Sequence, residues 1–185
     1  SGLGMETYGQ NYVVPVDARL ASDLDVKDEA VPLSRVVASL DRVKGLKLGI
    51  LDASLDNPFI ASMQRTAGSR PTARGLAPVE PASAGTLIAL SAKPGTTAVD
   101  GIALTSTFST VLARNLTKPG VDVRQALATV REEVLAATAQ KQEPVVFGSL
   151  AWAALTLGPA TAPVVASAAP VPLAAPAASS ATAPA

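Results

Sequence analysis

The chain has 185 residues, 48% of them hydrophobic, and its 15 basic and 15 acidic residues cancel to a formal net charge of zero. That length supports one domain with a real core, and balanced, unclustered charge argues against a nucleic-acid groove or a polybasic membrane anchor. With no Cys and no His, the chain lacks disulfides, thiolates, the commonest general base near neutral pH and the commonest metal ligand.

The acidic residues are scattered without calcium-loop spacing, so neither a metal nor another cofactor is expected. Aromatic residues are few, which leaves Leu, Val, Ile and Ala to build the core. That composition suits buried parallel strands flanked by helices. No apolar run ahead of the C-terminal tail approaches the roughly 20 residues of a membrane helix. The chain opens on Ser1 without an initiator Met or a basic leader region, and is read as a fragment or processed product.

The first element is a glycine-flanked motif, S-G-L-G, at residues 1–4. Residues 11–16 alternate loosely around Tyr12, Val14 and Val16, and Pro15 points to an edge strand or hairpin arm. Residues 18–29 are polar and acidic and are expected as a surface loop. Leu33, Val36, Val37, Leu40 and Val43 repeat at helical spacing, with Pro32 in the first turn and Lys44-Gly45 as a stop. Residues 46–51 form a short apolar run that ends at Asp52. A polar motif at the carboxyl end of such a strand is the usual place for an α/β site.

Residues 68–84 are rich in Gly, Pro, Ser and Arg and predict a long exposed loop carrying Arg70 and Arg74, with Arg65 just before it. Residues 86–92 form a second buried strand, closed by the turn Lys93-Pro94-Gly95. Phe108, Val111, Leu112 and Leu116 mark one helix. Asp122 is placed to cap another, whose stripe is Val123, Leu127, Val130 and Val134. Residues 143–150 supply the last strand. From Pro159 the final 27 residues hold 12 Ala, 6 Pro and no charge, which predicts a non-catalytic tail or linker. The expected division is therefore a domain over 1–157 and a tail over 158–185.

Several segments together resemble the bacterial caspase-like peptidases, the group of metacaspases and orthocaspases. They are S-G-L-G, N-Y-V-V-P-V-D at 11–17, D-A-S-L-D-N-P-F at 52–59, A-K-P-G-T at 92–96, V-R-E-E-V-L-A-A-T at 130–138 and Q-E-P-V-V-F-G-S-L at 142–150. The resemblance implies an α/β fold, a caspase-like three-layer sandwich with a mostly parallel sheet. In active relatives the third residue of the first motif is a histidine base, and the third of the D-A-S motif is a cysteine nucleophile. Here those positions are Leu3 and Ser54, and the next residue, usually Arg, is Leu55. Leucine accepts no proton, and a serine hydroxyl is a poor nucleophile without a neighbouring base. Lys47 and Lys93 lie nearest in sequence, but neither stands where this family needs a base.

The family places the histidine loop after the third strand of a six-stranded sheet. The resemblance therefore implies that the first strands lie outside this chain, leaving an apolar edge for a partner. That partner is expected to be a protein or peptide, with the absent N-terminal half or an active homologue as candidates. Nucleic acid and a membrane span are not expected.

Asp52 resembles the acidic residue that holds a basic substrate side chain, although a purely structural bond to the following turn explains it as well. Ser54 and Asp100 join it as candidate peptide-binding residues, with Thr105–Thr107 on the rim. Gly2 and Gly4 are the remnant of a loop that once let backbone amides approach an oxyanion, now read as permitting a tight loop through positive φ. Asp56 and Asn57 precede Pro58 and are expected to shape a turn. The leading expectation is a pseudo-peptidase that binds a protein or peptide. The alternatives are an unconventional endopeptidase using Ser54 and cutting after basic residues, and a purely structural subunit.

Overall fold

Turn chemistry sets the first sheet. The computed structural model describes residues 1–54, 56–66, 75–81, 83–99, 105–150 and 154–159. Strands β1 (Leu3–Thr7) and β2 (Gln10–Val14) are joined by Tyr8 and Gly9 alone, at φ 54° and 77°. Two consecutive positive φ values match the twist of a two-residue hairpin loop, and they enforce antiparallel pairing. The Tyr8 hydroxyl donates to Asp23 Oδ2 at 3.0 Å, which fastens the turn.

Helix α1 (Val26–Glu29) leads into β3 (Val31–Pro32), which pairs antiparallel with β2 through Tyr12↔Pro32 and Val13↔Val31. The order is thus β1-β2-β3, so residues 11–14 form the centre of a sheet rather than its edge. Pro15 lies just past the strand end and removes no ladder bond. Met5, Tyr12 and Val14 pack on Leu20, Val26, Ala30 and Met63. Part of the expected surface loop is therefore core. Glu29 makes this possible by accepting from the backbone N–H groups of Arg19 and Leu20 at 2.6 and 3.2 Å.

Helix α2 (Leu33–Ser39) continues into one 3-10 turn over Leu40–Arg42. Leu33 is buried, and Val37 and Leu40 pack on its cluster, but Val36 and Val43 stay 43% and 44% exposed. Strand β4 (Lys47–Leu51) follows, then helix α3 (Phe59–Ser62) and strand β5 (Thr86–Leu90). β4 and β5 pair in parallel from Lys47↔Thr86 to Leu51↔Leu90. Every residue of β5 is buried, as a central strand covered on both faces requires.

Helices α4 (Thr107–Leu116) and α5 (Val123–Ala137) precede β6 (Val145–Gly148), which is antiparallel to β5. One face of β5 presents Leu87 and Ala89 to Phe108, Val111, Leu112, Val123, Leu127, Val130 and Val134. The other presents Ile88 and Leu90 to Leu33, Ala53, Leu76 and Val79. Leu76 and Val79 belong to the segment expected as an exposed loop, whereas Arg70 and Arg74 lie outside the described residues.

The mostly parallel sheet implied by the resemblance is corrected here. There are two three-stranded sheets, and β4–β5 is the one parallel pair among the described residues. The reasons are local. A two-residue loop cannot return a chain in parallel, and among the described residues β5 is followed by two helices rather than one. Two antiparallel helices bring the chain back to the end where β5 finished, so β6 must run the other way.

Asp122 caps α5 as expected, accepting from Arg124 N at 2.9 Å, and it also accepts from Leu155 N at 2.8 Å. Val123 N donates to Leu155 O at 2.8 Å in return, which ties residues 154–159 to the helix start. Of the expected tail only residues 158 and 159 are among those described, and no described helix is long and apolar enough to cross a membrane. The Arg124 guanidinium, followed by the Leu155 amide, holds the Asp122 carboxyl well below the usual carboxylate range. A depressed folded-state pKa stabilises the fold in full above the unfolded value of about 4, and the gain is lost as pH falls towards the folded value. Asp122→Ala should therefore cost about 1 kcal/mol in urea unfolding at pH 7. Asp122→Asn should cost less, and both variants should lose less stability than the parent between pH 5 and pH 3 (values of about this range follow from the carboxylate titration).

Candidate functional site

The carboxyl end of β4 gathers the polar groups. Ser91 N donates to Leu51 O at 2.9 Å, which carries the parallel register one step past the strand and sets Asp52 beside Ser91. Alternation along β4 puts Leu48 and Asp52 on one face, the face covered by α4. The motif at residues 1–4 arrives alongside. Gly2 N donates to Asp52 O at 3.0 Å and Gly4 N donates to Ala53 O at 2.8 Å. Two motifs far apart in sequence thus lie in backbone contact.

Gly4 is required there for a reason other than the expected one. It is not among the positive-φ glycines, but a Cβ on it would stand 2.6 Å from Ala53 O and 2.9 Å from Leu76 Cδ2. Gly2 has open space around a Cβ. Leu3 pairs with Val14 and packs, partly buried, against the core of the first sheet.

Asp52 is 5% exposed, and its Oδ2 accepts from the Ser106 hydroxyl and, at 2.6 Å, from the Ser109 hydroxyl. Ser106 also caps α4, accepting from Ser109 N at 2.9 Å. The remaining Asp52 oxygen, Oδ1, is buried without a hydrogen-bond partner, and so are the hydroxyls of Ser54 and Ser91. No described Lys or Arg pairs with Asp52, since the ion pairs formed are Arg114–Glu133, Arg124–Asp122 and Arg131–Glu143. Ser54 is 1% exposed, and its carbonyl accepts from Ala98 N at 2.7 Å. With its hydroxyl unpartnered, no described group can take its proton. Lys47 starts β4, at the opposite end of the strand, and donates to Ser83 at 3.0 Å, while Lys93 is exposed.

Gln142 was not foreseen as part of this region. Its amide is 1% exposed and donates through Nε2 to Ser91 O at 2.8 Å, while Oε1 accepts from Val99 N at 3.1 Å. It therefore clamps both ends of residues 91–99, the segment that reaches Ser54 through Ala98. Sequence reasoning also missed Ser91 and Ser109, whereas Ser106 lies inside the expected rim segment 105–107. The available signals were that rim expectation and a serine placed to cap a helix. Thr105 is exposed and bonds Thr110 instead. Asn57 behaves as a turn residue, accepting from Phe59 N at 2.9 Å. Asp100 and Leu55 lie outside the described residues, and among the described residues no acidic cluster could hold a metal.

What the arrangement supplies is a buried carboxyl acceptor near the unpartnered hydroxyls of Ser54 and Ser91, with no imidazole and no thiolate. Its integrity should depend on the clamp. Gln142→Ala leaves Ser91 O and Val99 N unsatisfied, and should cost about 1–3 kcal/mol in chemical unfolding. Hydrogen exchange at the Ala98 and Val99 amides should accelerate in that variant, while the α5 amides exchange as before relative to global stability.

No curated protein matches this chain. The Caspase domain family matches it over residues 1–152, which takes in both motifs, both sheets and the two long helices. The chain therefore belongs to the caspase-domain family, as a member with no cysteine at any position and hence without the thiolate that this family's peptidase chemistry uses.

Proposed function

We propose that the protein is a non-catalytic caspase-like domain that binds a peptide segment of a protein partner, with Asp52 anchoring a basic side chain. The observation that carries this reading is a buried carboxylate without a cationic partner among the described residues. A buried charge is stable only when paired or well hydrogen-bonded. Ser106 and Ser109 satisfy one oxygen but bring no positive charge, so a cation from outside completes the site.

The quoted motifs support placing the chain near the bacterial metacaspases and orthocaspases, whose substrates are peptides with basic residues. In that reading Leu3 and Ser54 hold the positions of the lost base and nucleophile, and recognition outlasts cleavage. A protein partner is further favoured by β4, an edge strand among the described residues on which Ile50 is exposed. The Ala/Pro-rich residues 158–185 then serve as a spacer beyond the domain.

Fluorescence anisotropy with labelled basic peptides tests the proposal. Asp52→Asn should weaken binding about ten-fold or more, as expected for loss of a charge-assisted contact, and the exposed Glu132→Gln should not. Mass spectrometry should find no cleaved peptide after prolonged incubation. Cleavage after a basic residue that disappears in Ser54→Ala would sink the non-catalytic reading.

A further inference from the structure

Asp52 offers its two oxygens unequally, and this bears on which cation it would take. Oδ2 already accepts two hydroxyl hydrogen bonds, from Ser106 and Ser109. A carboxylate oxygen has about two lone-pair directions, so Oδ2 is filled. Oδ1 is empty, and the hydroxyl of Ser91, the register neighbour of Asp52, is empty too. The hydroxyl of Ser54, two residues further along the same chain segment, is the third buried group without a partner.

A guanidinium recognises a carboxylate best through two parallel N–H bonds to both oxygens. Here one half of that fork has nowhere to dock. An ammonium is a compact point charge with three separate donors, which need single acceptors rather than a fork. Asp52 Oδ1 and the hydroxyls of its register neighbour Ser91 and of Ser54 are single acceptors of that kind at one strand end. We infer that the site reads a lysine ammonium in preference to an arginine guanidinium, with Ser106 and Ser109 as the specificity-determining residues. The inference rests on the proposed function, because it refines which basic group Asp52 anchors. It also gives the unpartnered Oδ1 of Asp52 a donor. Asp52, Ser54 and Ser91 are buried in this structure, so a ligand reaches them only if this strand end opens, and slow binding is expected.

The test is isothermal titration, or dialysis to equilibrium after long incubation, with three acetylated tetrapeptide amides of sequence Ala-Ala-X-Ala. X is lysine, arginine or norleucine. The lysine peptide should bind about five-fold more tightly than the arginine peptide, the worth of one additional satisfied hydrogen bond, and the norleucine peptide should not bind. Ser109→Ala frees one acceptor site on Oδ2 without touching the α4 cap, which uses the Ser109 backbone N–H, and should narrow or reverse the ratio. Ser91→Ala should lower lysine affinity while sparing arginine, and circular dichroism checks that both variants are folded. Arginine binding as tightly as lysine in the parent protein overturns the inference and leaves the basic anchor standing. Failure of both basic peptides, or equal binding of norleucine, overturns the anchor as well. An alkali cation presents similar chemistry to the same oxygens. Lysine affinity that collapses in potassium chloride but persists in choline chloride of equal ionic strength would assign the site to that ion and overturn the lysine reading.

Discussion

Two backbone hydrogen bonds, from Gly2 to Asp52 and from Gly4 to Ala53, join the small antiparallel sheet to the carboxyl end of β4. They hold the two sheets in register, and they work only because residue 4 has no side chain to collide with Ala53 and Leu76. Residues 91–99 close over the same strand end through Ser91 and Ala98, with Gln142 as their clamp. Core clusters flank this junction, which sets Asp52 and Ala53 beside the first motif.

The absence of cysteine and histidine sets the chemistry that this strand end can perform. Leu3 packs as a core residue, and Ser54 hides a hydroxyl that nothing described accepts from or donates to. An unsatisfied buried hydroxyl costs on the order of 1–3 kcal/mol, and a buried carboxylate oxygen costs more. Such groups are commonly satisfied by a ligand or water, and under the proposed function a bound basic group does this for Asp52. The rest of the domain can carry that cost. β5 is buried along its whole length, and α4 and α5 present continuous apolar faces to one side of it.

Much of the domain was legible from residue patterns. The stripe Val123, Leu127, Val130 and Val134, the Asp122 cap and the buried run at 86–90 all rest on local periodicity and capping, and local interactions need no knowledge of distant residues. The hairpin was harder. Pro15 suggested an edge, but the chain had already left the ladder one residue earlier, and a strand as short as Val31–Pro32 has no periodic signature. Leu76 and Val79 were hidden by Gly-, Pro- and Arg-rich neighbours whose composition speaks for a loop. Sheet direction was misread because the resemblance implied parallel strands, whereas the count of helices between β5 and β6 settled the antiparallel course.

The loss of thiol and imidazole chemistry needs no coordinates, because chemical capacity is a property of which side chains exist, and none of the required type is present. The family, too, is carried by motif order along the chain. The site is different. Ser106 and Ser109 meet Asp52 across more than fifty positions, Ser91 meets it through strand register, and Gln142 reaches back across the segment it clamps. Contacts of that kind depend on how strands and helices pack after the chain has closed on itself. A linear pattern of residues holds no trace of which oxygen of a carboxylate is filled and which is left open.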